Sequence, residues 1–319
     1  MKKTALITGI SGQDGTYLAQ HLIENNYRVV GTSRDAQNVS FQNLKSLGIY
    51  SEIEFESVSL KDFASILGLI KKVNPDEIYH LAGQSSVGLS FEQPVETFES
   101  IATGTIYLLE AIRFLNLNVK LYNACSSECF GNTLGVRVNE STPFNPQSPY
   151  AIAKSAAYWS VSNYRDSYGI FACSGILFNH ESPLRPERFV TQKIIKSALD
   201  IKNKKKQKLV LGNVHIRRDW GWAPEYVKVM HLMLQKDKPE DYVVATGETH
   251  SLEEFVRVAF EFLDLNYKNY LEIDKKLYRP TDIIENAADP AKALKKLGWK
   301  AQYSFNDVIQ NMILSSKKP

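Results

Sequence analysis

The sequence predicts an α/β protein in which helices cover both faces of a doubly wound, parallel sheet. Short apolar runs alternate along the first half of the chain with helix-length amphipathic stretches, which is the pattern of strands and crossover helices. A glycine-rich turn directly follows the first apolar run. The alternation weakens after about Asn179, so we expect a smaller second domain in the C-terminal part.

Each element of the sheet is predicted from its own stretch of sequence. Apolar runs of strand length occur at Ala5–Thr8, Arg28–Gly31, Ile53–Glu56, Glu77–His80, Lys120–Asn123 and Phe171–Ile176. Helix-like stretches lie between them, for example at Thr16–Glu24, Phe63–Lys72 and Thr103–Phe114. Strands that alternate with helices in this way favour parallel pairing, because each crossover helix returns the chain to the same edge.

The second domain is predicted to be discontinuous. Pro183 and Pro186 cluster where the alternation weakens, and the later run Tyr242–Ala245 has the pattern of another strand of the first sheet. The chain is therefore expected to return to the sheet between two pieces of the smaller domain. The predicted boundaries are residues 1–178 and 219–246 for the large domain, and residues 179–218 and 247–319 for the smaller one.

Composition and charge argue against several classes of function. The chain of 319 residues has a formal net charge of +3, which gives no electrostatic support for nucleic-acid binding. Its three cysteines, Cys125, Cys129 and Cys173, lack metal-site spacing and form no even framework, so we expect neither a metal nor structural disulfides. The first apolar run is too short for a signal peptide or a membrane span, and we predict a cytoplasmic protein without membrane attachment.

The glycine-rich turn predicts a dinucleotide site. Gly9, Gly12 and Gly15 follow the first predicted strand and precede a helix. Such glycines allow a tight turn, a close approach of the backbone to a diphosphate, and close packing of the helix. The helix N-terminus adds unpaired N–H groups and the positive end of its dipole. This combination is typical of the first crossover of a Rossmann-type domain.

The end of the second predicted strand distinguishes between the two nicotinamide dinucleotides. A carboxylate at this position typically binds the ribose of NAD, whereas a cation suits the 2′-phosphate of NADP. Ser33 is small, and the guanidinium of Arg34 can make bidentate contacts with a phosphate. We therefore predict NADP. Asp35 is the contrary observation, because its carboxylate could accept the ribose hydroxyls of NAD instead.

Four side chains form a candidate catalytic set. Tyr150 and Lys154 are separated by one helical turn, so the phenol and the ammonium group can reach the same space. We expect Lys154 and a positively charged nicotinamide to lower the pKa of Tyr150. Ser126, at the end of a predicted strand, suits a hydrogen bond to a substrate oxygen. Glu128 could remove a C–H proton beside a new ketone, and a helix-capping role is its alternative.

The chain resembles the GDP-mannose 4,6-dehydratases, which belong to the extended short-chain dehydrogenase/reductases, over nearly its whole length. The Gln-Asp pair within the glycine turn and the Phe-Asn-His-Glu-Ser-Pro stretch are more specific than the general fold motifs. The segments that carry the resemblance are residues 7–15, 90–94, 177–183, 218–221 and 279–281.

The resemblance implies a reaction and a set of site residues. Tyr150 would take the proton of the sugar 4-hydroxyl while NADP accepts the C4 hydride, and Glu128 would remove the C5 proton before water leaves C6. It assigns catalysis to Ser126, Glu128, Tyr150 and Lys154. Together with the glycine turn and the end of the second predicted strand, the candidate cofactor residues are Gly9, Gly12, Gln13, Asp14, Gly15, Arg34, Tyr150 and Lys154. The resemblance assigns binding of a GDP-linked hexose or heptose to Asn179, Lys193, Arg218 and Arg279, and Ser85 is a further candidate for the sugar pocket.

Departures from the family pattern leave alternatives open. Ser126 replaces the usual threonine, Ser59 stands where an aspartate would meet the adenine, and Leu184 begins a stretch that differs from the usual Arg-Arg-Gly. These changes suggest a branch that uses GDP-manno-heptose instead of GDP-mannose. A GDP-4-keto-6-deoxysugar reductase, a nucleotide-sugar epimerase and a regulatory protein without turnover are the rival interpretations.

The resemblance also implies an assembly. Helices near Val95–Phe114 and Tyr150–Tyr168 carry apolar faces that would pair across a two-fold axis, so we predict a homodimer. The segment after Arg34 is shorter than in the family, where it helps to build tetramers. A homotetramer is therefore the alternative.

Overall fold

Seven parallel strands form the central sheet of the computed structural model, which describes residues 2–316. The strand order is β7-β6-β5-β4-β1-β2-β3, and every neighbouring pair is parallel. The order reverses direction between β1 and β4, as it does in doubly wound sheets. The strands are β1 Thr4–Thr8, β2 Arg28–Ser33, β3 Ile53–Ser57, β4 Glu77–His80, β5 Lys120–Ser126, β6 Ala172–Leu177 and β7 Tyr242–Val244.

Helices connect the strands and build the smaller part of the molecule. A π-helical turn, Glu99–Thr103, joins α5 to α6, so the three elements form one continuous helical rod. The α-helices are α1 Gln13–Glu24, α2 Gln42–Ser46, α3 Phe63–Val73, α4 Val87–Glu92, α5 Pro94–Phe98, α6 Gly104–Phe114, α7 Pro149–Tyr168, α8 Val190–Lys202, α9 Ala223–Leu234, α10 Leu252–Glu261, α11 Ala291–Leu297 and α12 Phe305–Ser316. Short 3₁₀ turns are at Tyr50–Glu52, Ser127–Phe130, Tyr267–Asn269 and Lys275–Leu277.

Two-stranded pairings outside the large sheet hold the smaller part together. Asn179–Glu181 pairs in parallel with Trp220–Trp222, directly beyond the end of β6. The other pairs are Arg137–Val138 with Ala287–Ala288, Leu209–Leu211 with Leu271–Ile273, and Arg217–Arg218 with His250–Ser251. The segments on both sides of β7 are therefore tied to each other by short ladders.

Apolar side chains cover both faces of the sheet. One face packs against α1 and α9, with Leu18 and Met230 in its core. The opposite face packs against α3, α6 and α7, with Ile70 and Leu108 in its core. Strands β1, β4 and β6 are buried along their whole length, which explains their apolar runs, whereas the edge strand β3 is partly exposed. The predicted α/β fold with a doubly wound parallel sheet is confirmed.

A separate core lies in the C-terminal part. It is formed by apolar residues of α8, α10 and α12, including Ile194, Phe255 and Val308. Trp299, which follows α11, packs instead with the first core. The division into residues 1–178 with 219–246 and residues 179–218 with 247–319 stays a prediction, and the stretch around α11 belongs by packing to the large sheet. Within residues 2–316, no helix is long and apolar enough to cross a membrane.

Candidate active site

The candidate site lies at the carboxyl edge of the sheet, where the strand order reverses. A cavity of about 400 Å³ opens there between the sheet and the smaller core. Parallel strands bring their following loops to one edge, so residues distant in sequence meet in this cavity. It is lined by ten of the predicted site residues, namely Asp14, Ser85, Ser126, Glu128, Tyr150, Lys154, Asn179, Lys193, Arg218 and Arg279.

The turn between β1 and α1 requires glycine at two positions. Gly9 has a φ of +80°, and a Cβ built on it would lie 2.9 Å from Ala82. A Cβ on Gly15 would lie 2.4 Å from the Gly9 carbonyl oxygen. Gly12 precedes the first residue of α1, and no side chain caps the helix there. The backbone N–H groups of the first turn are therefore free to face an anion.

The side chains of Gln13 and Asp14 form hydrogen bonds with the segment that follows β6. The Ser182 hydroxyl donates to Gln13 Oε1 over 2.7 Å, and Gln13 Nε2 donates to the His180 carbonyl oxygen over 3.2 Å. Asp14 Oδ2 lies 2.9 Å from His180 Nε2. Burial favours a higher pKa for Asp14, but the charge and the hydrogen bond of His180 outweigh it and lower this pKa to about 2.

At the end of β2, Arg34 and Asp35 differ in how they are engaged. Arg34 is exposed and makes no hydrogen bond or ion pair with any other described residue. The Asp35 carboxylate accepts hydrogen bonds from the backbone N–H groups of Gln37 and Asn38 and, over 2.7 Å, from Asn38 Nδ2. These bonds, that of the Asn38 side chain first, lower the pKa of Asp35. The carboxylate is occupied within its own turn, whereas the guanidinium is available.

Helix α7 places Tyr150 and Lys154 in the cavity. Ser148 caps the helix by accepting a hydrogen bond from Ala151 N over 3.1 Å, and Pro149 begins it. Tyr150 therefore lies in the first turn and Lys154 one turn later. The Lys154 ammonium donates to the Ala124 carbonyl oxygen, near the end of β5, over 2.6 Å.

The pKa of Tyr150 differs from the expectation. Burial of the phenol raises this pKa well above its usual range, and a hydrogen bond with Ser126 only partly opposes that effect. Burial also lowers the pKa of Lys154. In the protein alone, desolvation of the phenol outweighs the opposing contributions, and the lowering predicted for Tyr150 beside Lys154 and a positively charged nicotinamide stays a prediction.

Glu128 lies beside Ser126 on the 3₁₀ turn that follows β5. The Ser126 hydroxyl accepts a hydrogen bond from Glu128 N over 3.3 Å, which leaves its own proton free to donate. Glu128 Oε1 is 4.0 Å from Arg218 Nε. Arg218 is buried and fixed, since its Nη1 donates to the carbonyl oxygens of Arg217 and Ile283. A carboxylate and a rigid guanidinium thus face the same cavity as Tyr150.

Further basic groups line the cavity. Lys193 Nζ donates to the Val210 carbonyl oxygen over 2.7 Å, and Arg279 is exposed at the rim. Burial, followed by the charge of Lys206, lowers the pKa of Lys193. Arg218, Lys193 and Arg279 give the site several cations, which suits a diphosphate.

Sequence reasoning missed two arginines of this site. Arg185 and Arg188 both line the cavity. The Arg185 guanidinium lies 3.8 Å from the centroid of the Phe189 ring, and Arg188 Nη2 donates to the predicted substrate residue Ser85 over 3.4 Å. The signal available was their position just after the Phe-Asn-His-Glu-Ser-Pro stretch. In the part of the chain that the structure describes, no cluster of three or more His, Cys, Asp or Glu residues could hold a metal.

Comparison with known proteins identifies close relatives. The family model described as GDP-mannose 4,6 dehydratase matches residues 6–312. GDP-mannose 4,6 dehydratase 1 of Arabidopsis thaliana is 45% identical over 322 residues, covering 98% of this chain and 89% of the relative. GDP-mannose 4,6-dehydratase of Vibrio cholerae is 39% identical over 354 residues, covering 100% of this chain and 95% of the relative.

Solved structures share the fold at lower identity. UDP-glucose 4-epimerase of Thermotoga maritima superimposes with a TM-score of 0.87 at 20% identity, covering 98% of both chains. dTDP-glucose 4,6-dehydratase of Bacillus anthracis gives a TM-score of 0.86 at 19% identity, covering 99% of this chain and 96% of that one. These likenesses establish the architecture alone. The match over nearly the whole length and the identities of 39% and 45% show that this chain belongs to the GDP-mannose 4,6-dehydratase family.

Proposed function

We propose that this protein converts a GDP-mannose-like sugar to its 4-keto-6-deoxy derivative by removing water across C5 and C6. The observation that carries this proposal is the presence of Glu128 in the same cavity as Ser126 and Tyr150. Simple oxidation or epimerisation at C4 needs a hydroxyl and a phenol, whereas loss of water also needs a base for the C5 proton. The names of the relatives that match over most of their length agree with this reaction.

Each of the four catalytic side chains has a distinct task in this proposal. Tyr150 accepts the proton of the sugar 4-hydroxyl, and Ser126 donates a hydrogen bond to the same oxygen. Glu128 removes the C5 proton once C4 is a ketone, because the ketone stabilises the resulting negative charge. Lys154, held by the Ala124 carbonyl oxygen, positions the cofactor ribose. The cofactor supplies a hydride acceptor for C4 and a hydride donor for C6.

The turn after β1 fits a nicotinamide dinucleotide. A side chain on Gly9 or Gly15 would occupy space that the turn needs, and the uncapped first turn of α1 presents N–H groups to a diphosphate. We assign the cofactor as NADP rather than NAD. Arg34 is free to meet a 2′-phosphate, while Asp35 is engaged by Gln37 and Asn38.

The basic side chains of the cavity support a nucleoside diphosphate sugar as the substrate. Lys193, Arg218 and Arg279 would bind the diphosphate, and Asn179 would donate or accept a hydrogen bond nearby. The sugar then extends towards Glu128 and Tyr150. Whether it is a hexose or a heptose depends on the sugar end of the cavity, where Ser85 lies.

Turnover with catalytic NADP⁺ tests the proposal. GDP-mannose and GDP-manno-heptose are incubated separately with the protein, and the nucleotide sugars are analysed by mass spectrometry. Loss of one water without accumulation of NADPH is the expected result, and the faster substrate identifies the sugar. Unchanged sugars, together with NADPH consumption by a 4-keto-6-deoxysugar, would show a reductase instead.

We also propose that the protein is a homodimer, with a homotetramer as the alternative. Helices α5 and α7 contact each other and expose large apolar side chains. Val95 is 68% exposed and Trp159 is 59% exposed, and Phe98 and Ile152 are exposed as well. A neighbouring copy of the chain would remove this surface from water.

A further inference from the structure

Four side chains join the cofactor turn to the segment that follows β6. Gln13 and Asp14 belong to the first turn of α1, and His180 and Ser182 belong to the segment after β6. Three hydrogen bonds connect them: Ser182 Oγ to Gln13 Oε1, Gln13 Nε2 to the His180 carbonyl oxygen, and His180 Nε2 to Asp14 Oδ2. We name Gln13, Asp14, His180 and Ser182 the bridging cluster.

The bridging cluster lies between two ligand-binding regions of the proposed site. On one side is the uncapped first turn of α1, which faces the cofactor diphosphate. On the other side, His180 directly follows Asn179, and the short strand Asn179–Glu181 pairs with Trp220–Trp222. That second strand comes two residues after Arg218 in the chain. A continuous set of hydrogen bonds and strand pairs therefore links the first turn of α1 to residues that line the proposed nucleotide-sugar site.

The two ring contacts of His180 favour its imidazolium form. Its Nε2 faces the Asp14 carboxylate over 2.9 Å, and its Nδ1 faces the Phe178 carbonyl oxygen over 2.7 Å. Both partners can only accept when Asp14 is ionised, so both ring nitrogens must donate, which requires the imidazolium form. The ring stacks on Tyr226 with centroids 4.6 Å apart, and this contact fixes its plane.

The positive charge of His180 affects cofactor binding because Asp14 lies in the first turn of α1, where the diphosphate is proposed to bind. A carboxylate in the first turn of α1 is attracted by the positive end of the helix dipole but repels a dinucleotide diphosphate bound at the same end. The imidazolium compensates that negative charge at hydrogen-bonding distance. Arg185 adds a weaker positive contribution at Asp14. Without His180, a largely buried carboxylate would be left beside the diphosphate with only a distant cation.

We propose that His180 is a positioning residue that couples cofactor binding to nucleotide binding through its contact with Asp14. This rests on the proposed function for the identity of the two ligands. The imidazolium neutralises Asp14, and its hydrogen bonds hold Asn179 in register with the cofactor turn. Each ligand therefore stabilises the arrangement that the other one needs, and the coupling is reciprocal.

Binding measurements on the full chain test this coupling without turnover. The dissociation constant of NADP⁺ is measured by calorimetry with and without saturating GDP. In the unaltered protein, GDP should tighten NADP⁺ binding by about 5- to 150-fold, the usual range for coupled sites. His180→Gln should weaken NADP⁺ binding and bring that ratio close to one, since glutamine is uncharged and cannot donate to both Asp14 and Phe178.

Three further variants separate charge from packing. Asp14→Asn/His180→Gln removes both charges, so it should recover most of the NADP⁺ affinity that His180→Gln loses. His21→Gln is the matched control, because His21 lies on the same helix and hydrogen-bonds to His231 over 3.0 Å, far from Asp14 along α1. That variant should keep the ratio of the unaltered protein. If His180→Gln does not fold, Asp14→Asn should by itself reduce the ratio, because it removes the carboxylate to which His180 donates.

Any of three results contradicts the proposal. The first is equal binding of NADP⁺ by the unaltered protein with and without GDP. The second is a His180→Gln variant in which GDP tightens NADP⁺ binding as much as in the unaltered protein. The third is a His180→Gln variant that loses thermal stability but binds NADP⁺ with unchanged affinity both with and without GDP. Failure of the proposed function is a separate outcome, because it would produce coupled binding of NADP⁺ and GDP without loss of water from either GDP-sugar.

Discussion

At the residue scale, the candidate site combines groups whose environments oppose their proposed chemistry. Burial raises the pKa of the Tyr150 phenol, although the phenol must accept a proton from the sugar hydroxyl. Positive charge near the phenol opposes this effect, and Lys154 and an oxidised nicotinamide would both supply it. We therefore expect the Tyr150 phenol to be a better base in the complex with the cofactor than in the protein alone.

In the proposed mechanism, Glu128 is the residue that distinguishes dehydration from simple redox chemistry. Glu128→Gln keeps the size of the side chain but removes the base for the C5 proton, so kcat for loss of water should fall by about 10²- to 10⁴-fold. KM should change little. Mass spectrometry of the product gives the rate. Glu52→Gln, at an exposed position on the 3₁₀ turn before β3, is the control and should be fully active. Equal activity of both variants would remove Glu128 from the mechanism.

Arg34 is expected to select the cofactor. Arg34→Ala should weaken NADP⁺ binding by about ten- to a hundredfold. This corresponds to the loss of about 1.5–3 kcal/mol that is typical of a hydrogen bond to a charged group. NAD⁺ lacks the 2′-phosphate, so its dissociation constant should stay the same in this variant and serves as the internal reference. Calorimetry with both dinucleotides measures this. Equal losses for NADP⁺ and NAD⁺ would show that Arg34 does not contact the 2′-phosphate.

At the element scale, the turn into α1 and the interior of α3 place opposite demands on glycine. Gly15→Ala would bring a methyl group to 2.4 Å from the Gly9 carbonyl oxygen, so the turn must shift and NADP⁺ binding should weaken strongly.

Gly68 lies within α3, and a methyl group added there would have no atom of the described residues within 4 Å beyond its chain neighbours and the nearby backbone of α3. Gly68→Ala should therefore stabilise the protein by about 0.5–1 kcal/mol. Denaturant melts and dinucleotide titrations distinguish the two effects, and a Gly15→Ala variant with normal affinity would contradict the role of this turn.

A histidine pair between α1 and α9 should make stability depend on pH. Burial first, and then the charges of His231 and Lys228, lower the pKa of His21 from 6.5 to about 4, and burial also lowers that of His231. The unfolded chain therefore takes up protons at a higher pH than the folded one. This contribution is complete above about pH 6.5 and is lost as the pH falls towards about 4.

Thermal melts at a series of pH values check the histidine prediction. Tm should decrease between about pH 6.5 and pH 4, and the slope should be smaller for His21→Gln than for the unaltered protein. The His180 imidazolium acts in the opposite direction, because its raised pKa adds stability at low pH that is lost as the pH rises. Comparing the two proteins cancels that common contribution, and parallel curves would show that His21 does not titrate with folding.

At the scale of the whole molecule, the exposed apolar side chains of α5 and α7 predict self-association. Trp159→Glu would place a charge on this surface and should convert the proposed dimer to a monomer. Light scattering coupled to size-exclusion chromatography measures the mass of each species. Leu294→Glu, on the exposed side of α11, is the control and should stay dimeric. A Trp159→Glu variant of unchanged mass would place the interface elsewhere.

The sequence by itself determined the sheet, its helices and the family. Buried parallel strands must be apolar on both faces and the turn after β1 must contain glycine, so both left local signals that need no knowledge of distant contacts. The family could also be predicted from the sequence, because each of its motifs is a short continuous stretch, and the comparisons confirmed it.

Only the tertiary structure decided how separate stretches share the site. Three features exist only in the folded chain. They are the raised pKa of Tyr150, the contact of Arg188 with Ser85, and the hydrogen bond between Asp14 and His180. Desolvation and pairing depend on which surfaces meet at the carboxyl edge of the sheet, and residues far apart in sequence supply those surfaces. A linear pattern records the types of residue in a site, but their ionisation and partners follow from the three-dimensional neighbours that folding gives them.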